Sequence, residues 1–411
     1  MSRARSTGSS LRALAVALAA FVTLGLVDGA LGVAWPSIRE VFARDISDLG
    51  LLLAFGSLGY LSASAGYGLL HPRLGTGVLL GMGAGLVFVG LVGVAVSPGW
   101  VMVAVSAVCL GLGGGLVDTG MNAHAALVFD VASINLLHAC YGIGATLGPL
   151  VITLSLVSTG AWRSGYAALA ATQVLIAVAI WARRSRWTGA EPDVSRDGPV
   201  VHRRGQVWVM MLLFFLYTGA EVATGQWAFT LLTEGRGLAT AAAGTWVAIY
   251  WGGLTMGRFG FGLVGDRLTP SLTLRGSMLV ALAGVGLFWL DPLGFGVIGL
   301  PIAGLGFAAV FPTMVALTPA RIGRIRSTRS IGFQLAAANI GAAGVPWSLG
   351  LVAAAPWGGS PGARAFPRLR STRRLALRDG SEPTQRSWPT DPTRVNSSIQ
   401  PIRSTRCQMR S

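Results

Sequence analysis

The chain has 411 residues, 52% hydrophobic and only 12% charged, with a mean hydropathy of +0.61. Soluble domains carry about 25% charged residues, so these values exclude a soluble globular protein and describe a polytopic membrane protein. All 32 basic residues are Arg and the net charge is +16, but they fall between apolar spans and in the C-terminal tail, and no basic face with interleaved aromatics points to nucleic acid.

Apolar stretches of about 20 residues, the length that crosses a bilayer as a helix, recur along the chain. The first, 11–34, follows Arg3 and Arg5 and carries Asp28. It opens like a signal peptide but is too long for one and has no cleavage signature. Trp35-Pro36 is expected to end it at an interface. Spans 49–70 and 77–96 are joined by His71-Pro72-Arg73-Leu74-Gly75, read as a tight turn. Span 100–128 contains GLGGGLVDTGMN, and span 134–157 opens with NLLHACYGIGATLGP. The sixth span starts at Trp162-Arg163 and ends near Arg183.

Residues 184–206 form a polar linker and a boundary between a bundle at 1–183 and a second at 207–355. The second bundle holds spans 207–232 (with Glu221), 241–264, 272–290, 293–317 and 331–355. The eleven spans give an all-α polytopic membrane protein with two pseudo-symmetric bundles. Residues 356–411 have eleven Arg, three acids and no apolar run, the composition of a disordered basic tail. The abrupt change at Pro356-Trp357 suggests read-through in a shifted frame; a genuine basic tail that binds a partner is the alternative.

With the N-terminus in the cytoplasm, seventeen Arg lie at cytoplasmic span ends and four (Arg39, Arg44, Arg163, Arg236) at outer ends. This satisfies the positive-inside rule. A short internal repeat also relates the bundles. Asp28 and Glu221 are each followed four residues later by Gly, then by Trp35 and Trp227; Ile143-Gly144-Ala145 with Pro149 matches Ile340-Gly341-Ala342 with Pro346. Parallel repeats of this kind are a transporter plan.

A carboxylate near mid-membrane costs roughly 2.5–3.5 kcal/mol on insertion scales and usually faces a bundle interior or wet cavity. Asp28, Asp118 and Glu221 are the acids well inside the spans, and Asp118 and Asn122, four residues apart, share a helix face. A carboxylate taken out of water can be neutral in one state and ionised in another, which proton coupling requires. His138 could also titrate. Gln226, with Asn122, could bind hydroxyls, and Trp227 could stack on a sugar ring; for each, packing is the plainer alternative. No zinc, phosphate-loop or intramembrane aspartyl-protease pattern occurs, so no cofactor, metal site or enzyme activity is expected.

Gly262-x-x-x-Asp266-Arg267 resembles the loop signature of the major facilitator superfamily, in which the acid helps latch one conformation. The matching first-half turn has Pro72 in place of the acid. DTGMN (118–122), NLLHACYGIGA (135–145), FLYTGAEVATGQW (215–227), GRF (257–259), FPT (311–313) and IGFQLAAANIGAAGVP (331–346) resemble, in order, the fucose-permease branch of that superfamily. The resemblance implies a monomeric transporter of the plasma (inner) membrane that moves a small solute, a sugar in characterised members, by alternating access with protons. Asp28 and Asp118 match the branch's helix 1 and helix 4 acids. Leu26 and Val27 replace polar residues of sugar-transporting members, His138 stands where Gln is common, and Glu221 where Gln can occur. Export of a small metabolite or drug, and a transport-inactive product lacking a normal twelfth helix, are the alternatives.

Overall fold

The computed structural model describes residues 2–128, 131–187, 204–264, 269–291, 294–322 and 324–355. The expectations placed on the tail, on Asp266 and Arg267 and on most of the linker lie outside them. Among the described residues there is no strand. The helices are α1 (Ser2–Val41), α2 (Asp48–Ala95), α3 (Trp100–Val128), α4 (Val131–Thr159), α5 (Trp162–Ala182), α6 (Arg204–Thr230), α7 (Thr240–Val264), α8 (Pro270–Leu290), α9 (Gly299–Ala308), α10 (Val310–Ile322) and α11 (Arg324–Ala354).

The 48 residues of α2 would extend about 72 Å at 1.5 Å per residue, more than twice a hydrocarbon core of about 30 Å. Gly75, with φ 75° and ψ 158°, breaks the helix into two antiparallel spans. The five-residue turn expected at 71–75 is therefore helical up to Leu74, and one glycine in the left-handed region makes the reversal. Nine described helices are long and apolar enough to cross a membrane. One of the nine, α2, is broken at Gly75 into two lengths, and the 25-residue α7 packs among them.

Several boundaries differ from expectation, and α11 starts at Arg324, so that the basic stretch before 331 is helical. Helix α1 runs through Pro36 to Val41 instead of stopping at Trp35. Proline removes one backbone hydrogen bond, but Val33, Ala34, Trp35 and Ile38 are all fully buried, and this packing carries the helix on. Trp35 is thus a core residue, edge-on to Trp100 at 6.2 Å, not an interfacial anchor. The tenth span is broken at Ala309 between α9 and α10, and a π-helical turn, Leu231–Gly235, extends α6.

The internal repeat is realised as packing. A Cβ on Gly144 of α4 would lie 2.0 Å from the Val22 carbonyl of α1, and one on Gly341 of α11 would lie 2.1 Å from the Phe215 carbonyl of α6. Val22 precedes Asp28 by six residues, and Phe215 precedes Glu221 by six. The same glycine contact therefore sets the depth of one acid in each half.

The halves meet through α1–α6, α2–α11 and α4–α7. Contacts across the seam run from mid-helix to the end where α1 finishes and α2 begins. There Trp347 of α11 packs on Gly50, Gly350 on Ser47, Thr153 of α4 on Gly244 of α7, and Arg39 pairs with Glu234 of the π turn. This end is closed. Asp28 and His138 are exposed, so the interior opens towards the opposite end.

Candidate functional site

Each of the three membrane acids is held by a tyrosine. Helix α1 brings Asp28 to face α4, whose Tyr141 donates to Asp28 Oδ2 at 2.7 Å. The glycine contact at Gly144, one turn along α4, lets the two backbones come this close. Asp118 of α3 accepts from Tyr60 of α2 at 2.6 Å on Oδ2 and from Asn122 at 3.0 Å on Oδ1. One turn of α2 further on, Thr119 donates to Ser64 at 3.1 Å, so a polar strip joins α2 to α3.

In the second half, the Tyr217 hydroxyl hydrogen-bonds to Glu221 Oε2, one turn away on α6, and also lies 3.0 Å from the Phe307 carbonyl of α9. Tyr250 of α7 donates to the Glu221 backbone carbonyl at 2.7 Å. Arg258 of α7 lies 3.6 Å from Glu221 Oε1 and has a side chain 31% exposed, against 10% for Glu221. A carboxylate buried this deeply requires a partner of opposite charge or its own proton; Arg258 supplies the former.

Gln226 bridges the halves. Its Nε2 donates to the Asp28 backbone carbonyl at 3.1 Å, while its buried Oε1 accepts no hydrogen bond. Trp227 is buried and donates to the Pro346 carbonyl at 3.0 Å, tying α6 to α11 at the repeat's second proline. His138 stands edge-on to Phe21, with ring centroids 5.5 Å apart. The structure thus brings Asp28, Gln226, Glu221 and the Asp118–Asn122 pair towards one interior. Gly262 falls in the last turns of α7.

Tyr60, Tyr141 and Arg258 were not singled out from sequence. Tyr141 lies inside the NLLHACYGIGA stretch, but a hydroxyl partner on another helix has no spacing signature. Arg258 was counted among the cytoplasmic span ends. Its position six residues before the end of α7 places it more than one turn inside the helix, which is the signal that could have identified it. Removing it from the seventeen leaves sixteen Arg against four, so the charge asymmetry survives.

A family model described as Major Facilitator Superfamily matches residues 16–346. The bypass of stop codon protein 6 of Saccharomyces cerevisiae is 24% identical over 378 residues, covering 81% of this chain and 75% of that protein. The sodium-dependent glucose transporter 1 of Homo sapiens is 24% identical over 274 residues, 57% of this chain; the chain spans about half, 53%, of that protein's length. Among solved structures, a D-xylose-proton symporter superposes with a TM-score of 0.70 at 16% identity, over 83% of this chain and 90% of that one. With a family match across both halves, and membrane-crossing helices arranged as a repeated bundle, the chain belongs to the major facilitator superfamily of membrane transporters.

Proposed function

We propose that the chain moves a sugar across the plasma membrane by alternating access, coupled to protons. The observation that carries this reading is the site itself. Three carboxylates, each hydrogen-bonded to a tyrosine, sit in a bundle that is closed at one end and has Asp28 exposed on the other side. A carboxylate hydrogen-bonded to a neutral hydroxyl can release or take up a proton without leaving a buried ion pair broken. Asp28 and Asp118 are the proton carriers, Glu221 is held in reserve by Arg258, and Asn122, Gln226, His138 and Trp227 shape the binding interior. The moving bodies are residues 1–183 and 207–355, joined by the cytoplasmic linker 184–206, and Gly262, Asp266 and Arg267 form a gating loop. The N-terminus is cytoplasmic, so the closed end faces outward and this is an inward-open state of a monomer. The choice of a sugar draws on the glucose and xylose named for the human relative and the superposed symporter.

Proteoliposomes holding the protein should accumulate labelled hexose when a proton gradient is imposed. Asp28→Asn and Asp118→Asn should each abolish accumulation, and one of them should retain exchange. The name of the human relative favours a second coupling ion, so the same vesicles are tested with a sodium gradient. Accumulation driven by sodium alone rejects proton coupling, and no transport under either gradient rejects the reading as a whole.

A further inference from the structure

Arg258 brings a permanent charge and five N–H donors to the interior. Asp28, Asp118 and Glu221 each accept a hydrogen bond from a tyrosine. Arg258 lies 3.6 Å from Glu221, beyond hydrogen-bond range, and interacts with the Tyr217 hydroxyl. The Arg258 side chain is 31% exposed, so its guanidinium fork is reachable from the open interior. A charge held within a membrane bundle and left partly exposed is a candidate ligand site. The planar fork with five N–H groups is suited to a carboxylate, which it grips through two parallel bonds.

We propose that Arg258 is the specificity-determining residue and that the substrate carries a carboxylate, as a hexuronic acid does; this rests on the sugar-transport reading above. In the empty site Glu221 neutralises Arg258. When the substrate arrives, its carboxylate takes the guanidinium, and Glu221, left without a counter-charge, takes a proton from the water-filled interior. One proton enters for each carboxylate bound, so the net charge of the site is unchanged. The groups that face this exchange are Tyr217 on α6, which hydrogen-bonds Glu221, Tyr250 on α7, which holds its backbone, and Tyr141 and His138 on α4, both within electrostatic reach of Arg258. None of them is a second permanent cation that could compensate Glu221 in place of a proton. The proposal also gives a reason for an acid at position 221, where an amide would serve a neutral sugar.

The test is binding of D-glucuronate and D-glucose to the purified full chain, read by calorimetry, and then uptake of each into proteoliposomes. The unmodified protein should bind glucuronate more tightly than glucose, and more tightly as the pH is lowered. Arg258→Gln should weaken glucuronate by about tenfold to a hundredfold, the loss expected of a charged hydrogen-bond pair, and weaken glucose by less. Arg258→Lys keeps the charge and should show most of the same loss, because the fork is gone. Glu221→Gln should bind glucuronate at least as well as the parent and lose the pH dependence. Glucose preferred over glucuronate by the unmodified protein overturns the proposal while sugar transport stands, and this comparison needs no variant to fold. Equal glucuronate affinity in a folded Arg258→Gln protein also overturns it. If neither sugar binds or is taken up, the transport reading itself fails.

Discussion

Gly50→Ala should open the end of the molecule that is closed in this structure. Gly50 lies in the first turn of α2 against Trp347 of α11, and a Cβ there would stand 2.2 Å from Trp347 Cβ and 2.3 Å from its Cα. Ordinary contact begins at 3.4 Å, so the two helices must separate by about 1.2 Å to clear the Trp347 Cβ. A side-chain rotation cannot absorb this, because the obstructing atoms belong to the Trp347 backbone and the base of its side chain. Inserting a methyl group into a well-packed contact costs about 1–3 kcal/mol. That cost falls on the closed form alone, since α2 and α11 part when this end opens. The ratio of open to closed should therefore rise roughly five- to 150-fold. Spin labels at Val41 and Leu290, which are 54% and 70% exposed and belong to different halves at the same end, would report the change as a longer mean distance. Gly66→Ala is the control, since nothing lies within 4 Å of a Cβ there. An unchanged distance distribution in folded Gly50→Ala protein would refute the reasoning, as would an equal change in the control.

Arg39→Gln and Glu234→Gln should move the same labels in the same direction. Arg39–Glu234 is, among the described residues, the one ion pair that joins the halves. A double-mutant cycle on the open–closed equilibrium should return a coupling of about 0.5–3 kcal/mol, and a coupling of zero would remove the pair from the closure. Gly341→Ala should lower the unfolding temperature in detergent, because the new Cβ meets the Phe215 carbonyl at 2.1 Å and the clash is worth about 1–3 kcal/mol; an unchanged melt would mean that α6 and α11 part at no cost. For orientation, cysteines at Val96 and Leu290, both exposed, should react with an impermeant thiol reagent from outside intact cells, and one at Leu69 only after permeabilisation. The reverse pattern would invert the topology.

The apolar spans were legible because membrane crossing imposes a length and a composition, and both are local properties of the chain. The repeat was legible at Gly144 and Gly341 because glycine at a helix crossing leaves a mark in sequence that its neighbours do not blur. Boundaries were less so. Pro36 announced a helix end that the burial of Trp35 and Ile38 overrode, and the turn drawn at 71–75 shrank to Gly75 alone. The acids could be named, but their partners could not. Tyr60 and Tyr141 reach Asp118 and Asp28 from sequence distances of 58 and 113 residues, and nothing in a single chain encodes which hydroxyl meets which carboxylate. Trp227, expected to stack on a sugar ring, also donates its indole N–H to the Pro346 carbonyl, a contact between helices that its own sequence surroundings do not reveal.

The two halves repeat their scaffold but not their charge, and this asymmetry bears on mechanism. Gly144 and Gly341 set Asp28 and Glu221 at the same offset from the same kind of contact. Asp28 then meets a tyrosine from the facing helix, whereas Glu221 meets a tyrosine of its own helix and an arginine. An acid balanced by arginine is a fixed ion pair until something replaces one member. An acid balanced only by hydroxyls is free to exchange its proton with the interior. A rocking motion that exposes both to opposite sides in turn would therefore exchange protons freely on the first half and, on the second, take up a proton at Glu221 only as solute is recognised. Removing one group from each half should test this division. Asn in place of Asp28 together with Gln in place of Arg258 should abolish proton dependence and selectivity as two separable losses, each measured in the corresponding single variant. If Asp28→Asn loses selectivity as well as proton-driven accumulation, the halves do not divide the work in this way.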